Sequence, residues 1–567
     1  MIENDCVRRP VSFIDAERCV GCGDCLKYCP RGCLSLDRSR WVVVSDPSGC
    51  VGCRQCQRAC SYHCITVRGP FLGLEDRAHG HDLPVAERVR DFSEVHGGFT
   101  LAEAVGEAVR CLRCPRPRCR EVGCPAHNDI PAMNAAIREL DFLEALRILT
   151  RTSNLHAICS RVCDQSRLCE GACVHCREGG QAVAIGQLER FVGDWAREKG
   201  YVRTEPPPTP TGRRVAVVGS GPAGLSAAED LVRCGHAVTV YEALPVAGGV
   251  MVWGIPDFIL PSELVAAKLE ELRTLGVQFR TGTRINLDYP IERLFQEGAD
   301  VVFLAAGAEK DDYLELPGNR LAGITTASAL LRGTKLALVL SREYALPAVG
   351  ENVLVVGVNT VALHVARSAR RLGALNVTVI DALPEKLVAA SRGEMATAAA
   401  EGVNLRFEVA AISFSGREKV EEAELQCMQT GRGWWGKIRS RPRTGSNFNL
   451  PADTVVFATG FSISQEVLEL AGKAGIDTDA YGTVVVMGEN GRTSREKVWA
   501  AGDVVTGPRS VVGAMAAGKK AARHIDQTLR WRNLFAHEGG VSSKRLRPLK
   551  GERRPPDRPV GPWREEP

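Results

Sequence analysis

The stretch "RRVAVVGSGPAGLSAAEDL", residues 213–231, decides the architecture. An apolar strand runs into Gly219, and a helix opens immediately after the glycine turn. Gly219, Gly221 and Gly224 keep the G-x-G-x-x-G spacing. The first glycine makes the tight turn, the second lets a pyrophosphate approach the backbone, and the third lets helix pack closely on strand. The helix N-terminus then faces the anion. Glu242, in "VTVYEA", ends the next strand, where a carboxylate accepts from an adenosine ribose hydroxyl. A lone glycine pattern is weak, but strand, helix and acid at these distances predict a dinucleotide-binding unit.

A second unit begins at "NVLVVGVNTVALHVAR", residues 352–367. Gly357 holds the first glycine position, Asn359 the second and Ala362 the third. Alanine is allowed there. Asparagine tolerates left-handed backbone better than most residues, yet its side chain would crowd a pyrophosphate. The alternatives are a working nicotinamide site and a degenerate structural fold. In "NVTVIDALPEKL", residues 376–387, Asp381 ends the strand 24 residues beyond Gly357. A carboxylate near this place bonds the ribose 2′-OH of NAD. The competing reading is that Asp381 only caps the following turn, leaving Arg392 to reach a 2′-phosphate.

Far upstream, "CVGCGDCLKYCP", residues 19–30, sets Cys19, Cys22, Cys25 and Cys29 at C-x2-C-x2-C-x3-C-P spacing. This is the ligand run of bacterial ferredoxins, whose fourth cysteine reaches a second cluster. Cys50, Cys53, Cys56 and Cys60 repeat the spacing, with Ser61 in place of the proline. The swapped pairing assigns Cys19, Cys22, Cys25 and Cys60 to one [4Fe-4S] cluster. Cys50, Cys53, Cys56 and Cys29 fall to the other. Zinc or disulfides are the alternative, disfavoured because two runs share one spacing. Cys33 and Cys64, four residues after each run, read as buried thiols.

Of 22 cysteines, 20 lie at or before residue 176. In a reducing compartment such clustering argues for metal ligation over disulfides. No stretch of eighteen apolar residues occurs and "MIENDCVRRP" lacks a signal-peptide core, so the expectation is a cytoplasmic chain without an integral membrane segment. Net charge is +5, concentrated in residues 540–567, a Pro- and Arg-rich tail with eight Lys or Arg against four Asp or Glu. The tail reads as solvated or as a strap onto a partner subunit. Without an aromatic-and-basic folded face, nucleic acid is not expected.

A second cysteine block follows in "CLRCPRPRCREVGCPAHNDIP", with Cys111, Cys114, Cys119 and Cys124, and in "CSRVCDQSRLCEGAC", with Cys159, Cys163, Cys169 and Cys173. Between them two helices are expected. One starts at Asp129 and Pro131 and carries Met133, Ile137 and Leu140 inward; the other starts at a capping box of Asp141 and Glu144. This block, followed by "AIGQLERF" and a nucleotide fold, resembles the glutamate synthase small-subunit family. That family also takes in the N-terminal half of dihydropyrimidine dehydrogenase and a bifurcating NADH-dependent ferredoxin:NADP oxidoreductase. The resemblance spans about residues 100–530. It implies that Cys111, Cys114, Cys119 and Cys173 hold one cluster. It assigns Cys124, Cys163 and Cys169 to another, with Cys159 or Glu189 as fourth ligand. Four residues separate Cys119 from Cys124, where the family has three.

The resemblance also implies FAD in the first unit. "GGVMVWGIPDFILP", residues 248–261, with Gly249 and Trp253, is similar to the family's flavin-contacting segment. In "VWAAGDVV", Gly502 and Asp503 stand where relatives reach the ribityl chain. The helix of "VVGAMAAGKKAARHI" then approaches the flavin. In the second unit relatives read G-G-G-N-x-A-x-D, whereas here Val358 and Asn359 replace two glycines and His364 the acid. Relatives using NADP carry a Tyr-Arg-Arg run where this chain has Ile380, Asp381 and Ala382.

The expected fold is multidomain α/β, with an FAD domain interrupted by an inserted NAD(P) domain. A ferredoxin-like domain is expected at 1–68, then a linker and helical iron–sulfur domain at 69–203. FAD-domain parts span 204–345 and 455–535 around a nicotinamide domain at 346–454, with "VVFATGF" (455–461) returning the chain to the FAD domain; the tail is 536–567. The expected function is electron transfer between NAD(H) and a ferredoxin or partner redox subunit. The setting is a hetero-oligomer such as a 2-oxoacid:ferredoxin oxidoreductase-type complex. A relay or assembly subunit without nicotinamide chemistry, or a glutamate synthase small subunit, is the alternative. The expectation is that glutamate is not made unaided, since no glutaminase or large synthase domain is read and Ile2 stands where an N-terminal cysteine nucleophile would be expected. Disulfide reduction is set aside because Cys234 and Cys427 form no C-x2-C pair.

Overall fold

The computed structural model describes residues 11–47, 49–68, 77–177, 180–201, 209–340, 344–432 and 438–536. The tail expected as a strap lies outside the described residues beyond 536. The chain divides into a body, residues 1–526, and a C-terminal unit, residues 527–567. The body holds every candidate site residue.

The two ferredoxin-type runs fold alike. Antiparallel pairs Val11–Ile14 with Ile65–Arg68 and Leu34–Asp37 with Val42–Ser45 enclose short helices at Asp24–Tyr28 and Gln55–Ala59. Each helix follows a left-handed residue, Gly23 (φ 74°) in one run and Arg54 (φ 62°) in the other. Equal spacing has placed a left-handed residue at the same point of each run, although the first helix is a 3-10 turn and the second an α-helix.

The helical region opens with a Thr100–Glu103 capping box on Leu101–Val109, a start the sequence reading did not identify. Helix Ile130–Arg138 buries Met133 and Ile137, while Leu140 lies just past its end, half-buried. Asp141 caps Phe142–Thr152 by accepting from the Glu144 N–H at 2.9 Å; among the described residues this is the half of the expected box that forms. Within the segment expected as a linker, one described residue is anchored to the flavin-side segment. Val95 is buried and donates its N–H to the Phe258 carbonyl at 3.0 Å.

Two sheets carry the nucleotide units. In the first, Arg214–Val218 lies between Ala237–Tyr241 and Val301–Leu304, all parallel, and Val498–Ala500 pairs beyond. In the second, five parallel strands run in the order Ile324–Thr326, Thr454–Phe457, Asn352–Val356, Asn376–Asp381, Val403–Phe407. This sheet is wider than the 346–454 insert expected from sequence. Ile324–Thr326 belongs to it, and "VVFATGF" supplies its Thr454–Phe457 strand instead of returning to the FAD sheet. A fully apolar strand reads alike for either sheet, so only hydrogen-bond pairing assigns it. Phe461–Ser462 then pairs with Lys310–Asp311, joining the two crossings between units.

Alternation along Asn352–Val356 covers both faces of the second sheet. Val353 and Val355 pack with Leu363 and Ala366 of helix Thr360–Arg371. Leu354 and Val356 pack with Phe414 and Leu425 of an antiparallel sheet formed by Val409–Ser415, Glu422–Arg432 and Ile438–Pro451. Among the described residues, no helix is long and apolar enough to cross a membrane.

Candidate redox centres

In the N-terminal region Cys19, Cys22, Cys25 and Cys60 line one recess of about 270 Å³, its open mouth included. Cys29, Cys50, Cys53 and Cys56 line a second of about 320 Å³. Cys29 and Cys60 have thus each crossed to the other run's recess. Burial, then the neighbouring Cys60, Cys22 and Cys19, push the Cys25 thiol up to about 11. Burial, then Cys53, Cys29 and Cys50, push Cys56 up to about 12. Bare sulfurs so crowded repel as thiolates, and bound iron relieves that repulsion. The Val43 N–H already points at Cys19 Sγ, 3.4 Å away. Four sulfurs around one void fit a cubane in each recess. Cys22, at the first recess, is exposed.

The helical region gathers two further sets. Cys119 is pushed up to about 12 by burial, then by Cys111, Cys173 and Cys114. Cys169 is raised by burial, then by Glu189, Glu170, Cys124 and Cys163. The unusual gap before Cys124 is absorbed locally, because Cys119–Gly123 winds as a single π turn. An i→i+5 turn accommodates one residue more than an α turn. Gly123 then seats against Cys169, where an added Cβ would lie 2.8 Å from its Cα. Both possible fourth ligands are at hand. Cys159 is buried against Cys163, while the Glu189 carboxylate acts on Cys124, Cys163 and Cys169. Burial raises Glu189 to about 7, and Asn128 Nδ2 donates to its Oε1 at 3.1 Å.

At the first glycine turn, Gly219 has φ 100°, and an added Cβ would lie 2.3 Å from the Ala305 carbonyl oxygen. Gly224 lies so close to the Gly219 carbonyl that a Cβ would overlap it, which is the helix-on-strand packing the motif requires. Around Gly221 a Cβ would meet nothing within 4 Å, leaving open space at the N-terminus of helix Pro222–Arg233. A phosphate fits such a cradle. Gly249 (φ 53°) brings residues 248–253 onto it, since its Cβ would lie 2.7 Å from Gly221 Cα. Gly502 approaches the same helix, its Cβ position 3.0 Å from Ala223 Cβ. Asp503 follows, raised to about 6 by burial and accepting from Arg509 N at 3.2 Å. Trp253 is buried with its indole N–H spent on the Val246 carbonyl at 2.9 Å. These residues fit an FAD pyrophosphate and ribityl chain, with Trp253 as a wall.

Glu242 accepts from Ser220 N at 3.1 Å and Leu244 N at 2.9 Å, and also from the Ser220 hydroxyl. Ser220 Oγ accepts in turn from Gly248 N at 2.8 Å. The sequence reading missed Ser220, because it occupies a variable position of the motif.

At the second turn, Gly357 has φ 108° and seats against Ala458. Asn359 is extended (φ −140°, ψ 174°), so its tolerance of left-handed backbone is not used. Its amide is turned back on the protein. Oδ1 accepts from Ala362 N at 2.9 Å and Nδ2 donates to the Ala458 carbonyl at 2.6 Å. Asp381 does cap the turn, accepting from Leu383 N at 2.9 Å, but it also accepts from Val358 N at 2.9 Å. That double role is the same as Glu242's. Arg392 opens the helix Arg392–Ala400, capped by Ser391 and Glu394.

One buried group was legible and overlooked. Lys335, in "ALLRGTKLALVL", is buried and pairs with Asp257 of the flavin-side segment and, at 2.9 Å, with Ser262 Oγ.

Comparison with known proteins agrees with this geometry. Residues 213–518 match the pyridine nucleotide-disulphide oxidoreductase family, residues 88–201 the 4Fe-4S cluster domain II of dihydropyrimidine dehydrogenase, and residues 18–64 a 4Fe-4S dicluster domain. The glutamate synthase [NADPH] small chain of Halomonas elongata is 34% identical over 451 residues, covering 78% of this chain and 94% of that one. That of Escherichia coli is 33% identical over 452 residues, covering 78% and 95%. The NADP(+)-dependent formate dehydrogenase subunit beta of Moorella thermoacetica is 34% identical over 435 residues, and the match spans 72% of this chain and 59% of that one. With cysteine recesses, flavin-type cradle and sequence in agreement, the chain belongs to the glutamate synthase small-chain family of FAD- and iron–sulfur-containing NAD(P)H oxidoreductases.

Proposed function

We propose that this chain passes electrons between NAD(H) and a ferredoxin or partner redox subunit, through FAD and up to four [4Fe-4S] clusters. The observation that carries the reading is a buried contact. Asn154 Nδ2 donates to the Ser226 carbonyl at 3.1 Å, and Ser226 Oγ donates to Asn154 Oδ1 at 2.9 Å. This pair fastens the helical cysteine region to the helix that opens at the flavin-type cradle. When bound, FAD supplies the junction between a two-electron hydride and one-electron carriers.

The residues divide the work. Gly219, Gly221, Gly224 and Glu242 hold the adenosine and pyrophosphate end, and Gly249, Trp253, Gly502 and Asp503 position the rest. Gly357 and Asp381 receive the nicotinamide nucleotide, with Asn359 at the second glycine position of that turn. Cys111, Cys114, Cys119 and Cys173 hold one cluster. Cys124, Cys163 and Cys169 hold the next, with Cys159 or Glu189 as its fourth ligand. In the N-terminal region the recess of Cys29, Cys50, Cys53 and Cys56 is the inner one. Arg58, whose charge Cys53 feels, bridges to Glu139 of the helical region at 3.0 Å. The recess of Cys19, Cys22, Cys25 and Cys60 is the outer end, beside exposed Val20 and Tyr62.

A specific observation favours a second reading, a relay subunit without nicotinamide chemistry: the Asn359 amide takes an N–H that a phosphate would use. Anaerobic protein distinguishes the two. On the first reading it carries FAD, iron and sulfide, binds NADH, and bleaches its flavin with NADH. A Cys22→Ser, Cys53→Ser variant keeps that bleaching but loses transfer to ferredoxin. Full-rate transfer by the variant refutes the outer-wire assignment, and zinc in place of iron and sulfide refutes the cluster reading. The candidate partners are a ferredoxin and the subunits of a 2-oxoacid:ferredoxin oxidoreductase-type complex, and native co-purification distinguishes them.

A further inference from the structure

Each ferredoxin-type run carries one cysteine more than a cubane needs. Cys33 and Cys64 both stand four residues after the last cysteine of their run. Packing alone would ask only for a small apolar side chain there. Instead each sulfur touches another sulfur: Cys33 Sγ lies 3.2 Å from Cys29 Sγ, and Cys64 Sγ lies 3.3 Å from Cys60 Sγ. These separations are within hydrogen-bonding reach for sulfur. Cys33 also lines the recess of Cys29, Cys50, Cys53 and Cys56, and Cys64 that of Cys19, Cys22, Cys25 and Cys60. Because Cys29 and Cys60 are the two residues that cross between runs, each extra thiol serves the opposite run's recess. The relation therefore occurs twice, once per recess, with the same partner type and nearly the same distance.

We propose that Cys33 and Cys64 are tuning thiols, each donating its S–H to a ligand sulfur, Cys29 and Cys60 respectively, and thereby raising the reduction potential of that cluster. The proposal rests on the N-terminal ligand sets assigned above. Reduction adds negative charge that spreads onto the ligand sulfurs. A donor aimed at one of them stabilises the reduced form more than the oxidised form, and hydrogen bonds to sulfur are among the factors that set cluster potentials. Neither thiol is needed as a ligand, since each recess already presents four cysteines. One donor at each recess moves both potentials in the same direction, so an electron crossing between them meets no added step.

The test uses the full-length protein, purified anaerobically, as wild type and as Cys33→Ala and Cys64→Ala variants. Iron and sulfide are counted and midpoint potentials are read by EPR-monitored titration. The expected result is wild-type iron and sulfide in both variants. One midpoint shifts to more negative potential in each, and a different one in the two. Cys33→Ser and Cys64→Ser, which retain a hydroxyl donor, fall between wild type and alanine. Full iron with unmoved potentials overturns the proposal, leaving the thiols as packing. Loss of about four irons from one variant overturns it too, by making that cysteine a ligand. Wild-type protein without iron and sulfide would instead refute the cluster assignment on which the proposal stands.

Discussion

The turns at Gly219 and Gly357 share a backbone and differ in what fills it. Both glycines take positive φ, and both seat against a neighbouring strand end, Ala305 in one case and Ala458 in the other. In both, an acid from the next strand accepts from the N–H after the first glycine and from the N–H two residues beyond itself. The helices that follow also bury charge at equivalent places. Glu229 pairs with both Arg233 and Lys268 in the first, whereas Arg367 and Arg371 pair with Glu401 in the second. The second glycine position separates them. Gly221 leaves space, while Asn359 fills it with an amide that satisfies the helix end internally. A helix N-terminus that still lacks partners binds an anion, and one already capped binds it less strongly.

The largest expected effect breaks the first turn. Gly221→Val places a branched side chain where the pyrophosphate would lie, so the purified variant should lose its flavin absorbance. Asn359→Val should retain FAD and lose only nicotinamide-dependent bleaching. Equal flavin retention by both variants would make the comparison wrong.

Next in size is the buried ion cluster of the second unit. Burial raises the Glu401 carboxyl, but the Arg367 and Arg371 guanidiniums more than offset this and hold it below its ordinary value. Both arginines also stack on Phe258, at 4.6 and 3.9 Å from the ring centre. Glu401→Gln leaves two buried cations without an anion, and should destabilise the second unit by about 3–5 kcal/mol. Denaturant unfolding followed by hydrogen exchange in Thr360–Arg371 measures it. Since the folded carboxyl is depressed, its stabilisation is present above the unfolded value and disappears as pH falls through the folded one. The Glu401→Gln variant should lack that acid-dependent loss.

A smaller effect concerns nucleotide choice. If Asp381, which ends its strand, faces the ribose 2′ position as proposed, its carboxylate repels a 2′-phosphate. Losing one charge-assisted bond costs about 1.5–3 kcal/mol. NADH should therefore exceed NADPH by at least about tenfold in kcat/KM, with Asp381→Ala narrowing the gap. Steady-state kinetics with both nucleotides decide it, and equal use or an NADPH preference refutes the assignment. The expected preference is opposite to the coenzyme in the relatives' names, so the measurement separates this chain from them.

The smallest effect sharpens the comparison most. Asn359→Gly removes the internal cap at a cost of only a few tenths of a kcal/mol in stability. It frees the Ala362 N–H for a phosphate, so nucleotide affinity measured by calorimetry should rise. Weaker binding would show that Asn359 holds the nucleotide instead of displacing it.

Much of the site was legible because its chemistry is local. Glycines at a strand–helix turn and cysteines on a short loop act through neighbours a few residues away, so spacing alone carries their meaning. Glu242 and Asp381 were expected for the same reason, and each accepts from the N–H after its unit's first glycine. Ser220 was not, because a serine in a variable position signals nothing until Glu242 and Gly248 are seen to share it. The insert's limits were misplaced because Thr454–Phe457 is buried throughout, and strands buried on both faces carry no address.

By itself, then, the sequence determined that two glycine-turn units and four cysteine sets exist, since those patterns encode backbone turns and ligand supply within one loop or one strand–helix step. Tertiary structure decided which strand joins which sheet, how a π turn restores Cys124 to its set, and that Cys33 and Cys64 end against ligand sulfurs. Those outcomes depend on pairing and packing between segments far apart in the chain, where periodicity and spacing carry no information.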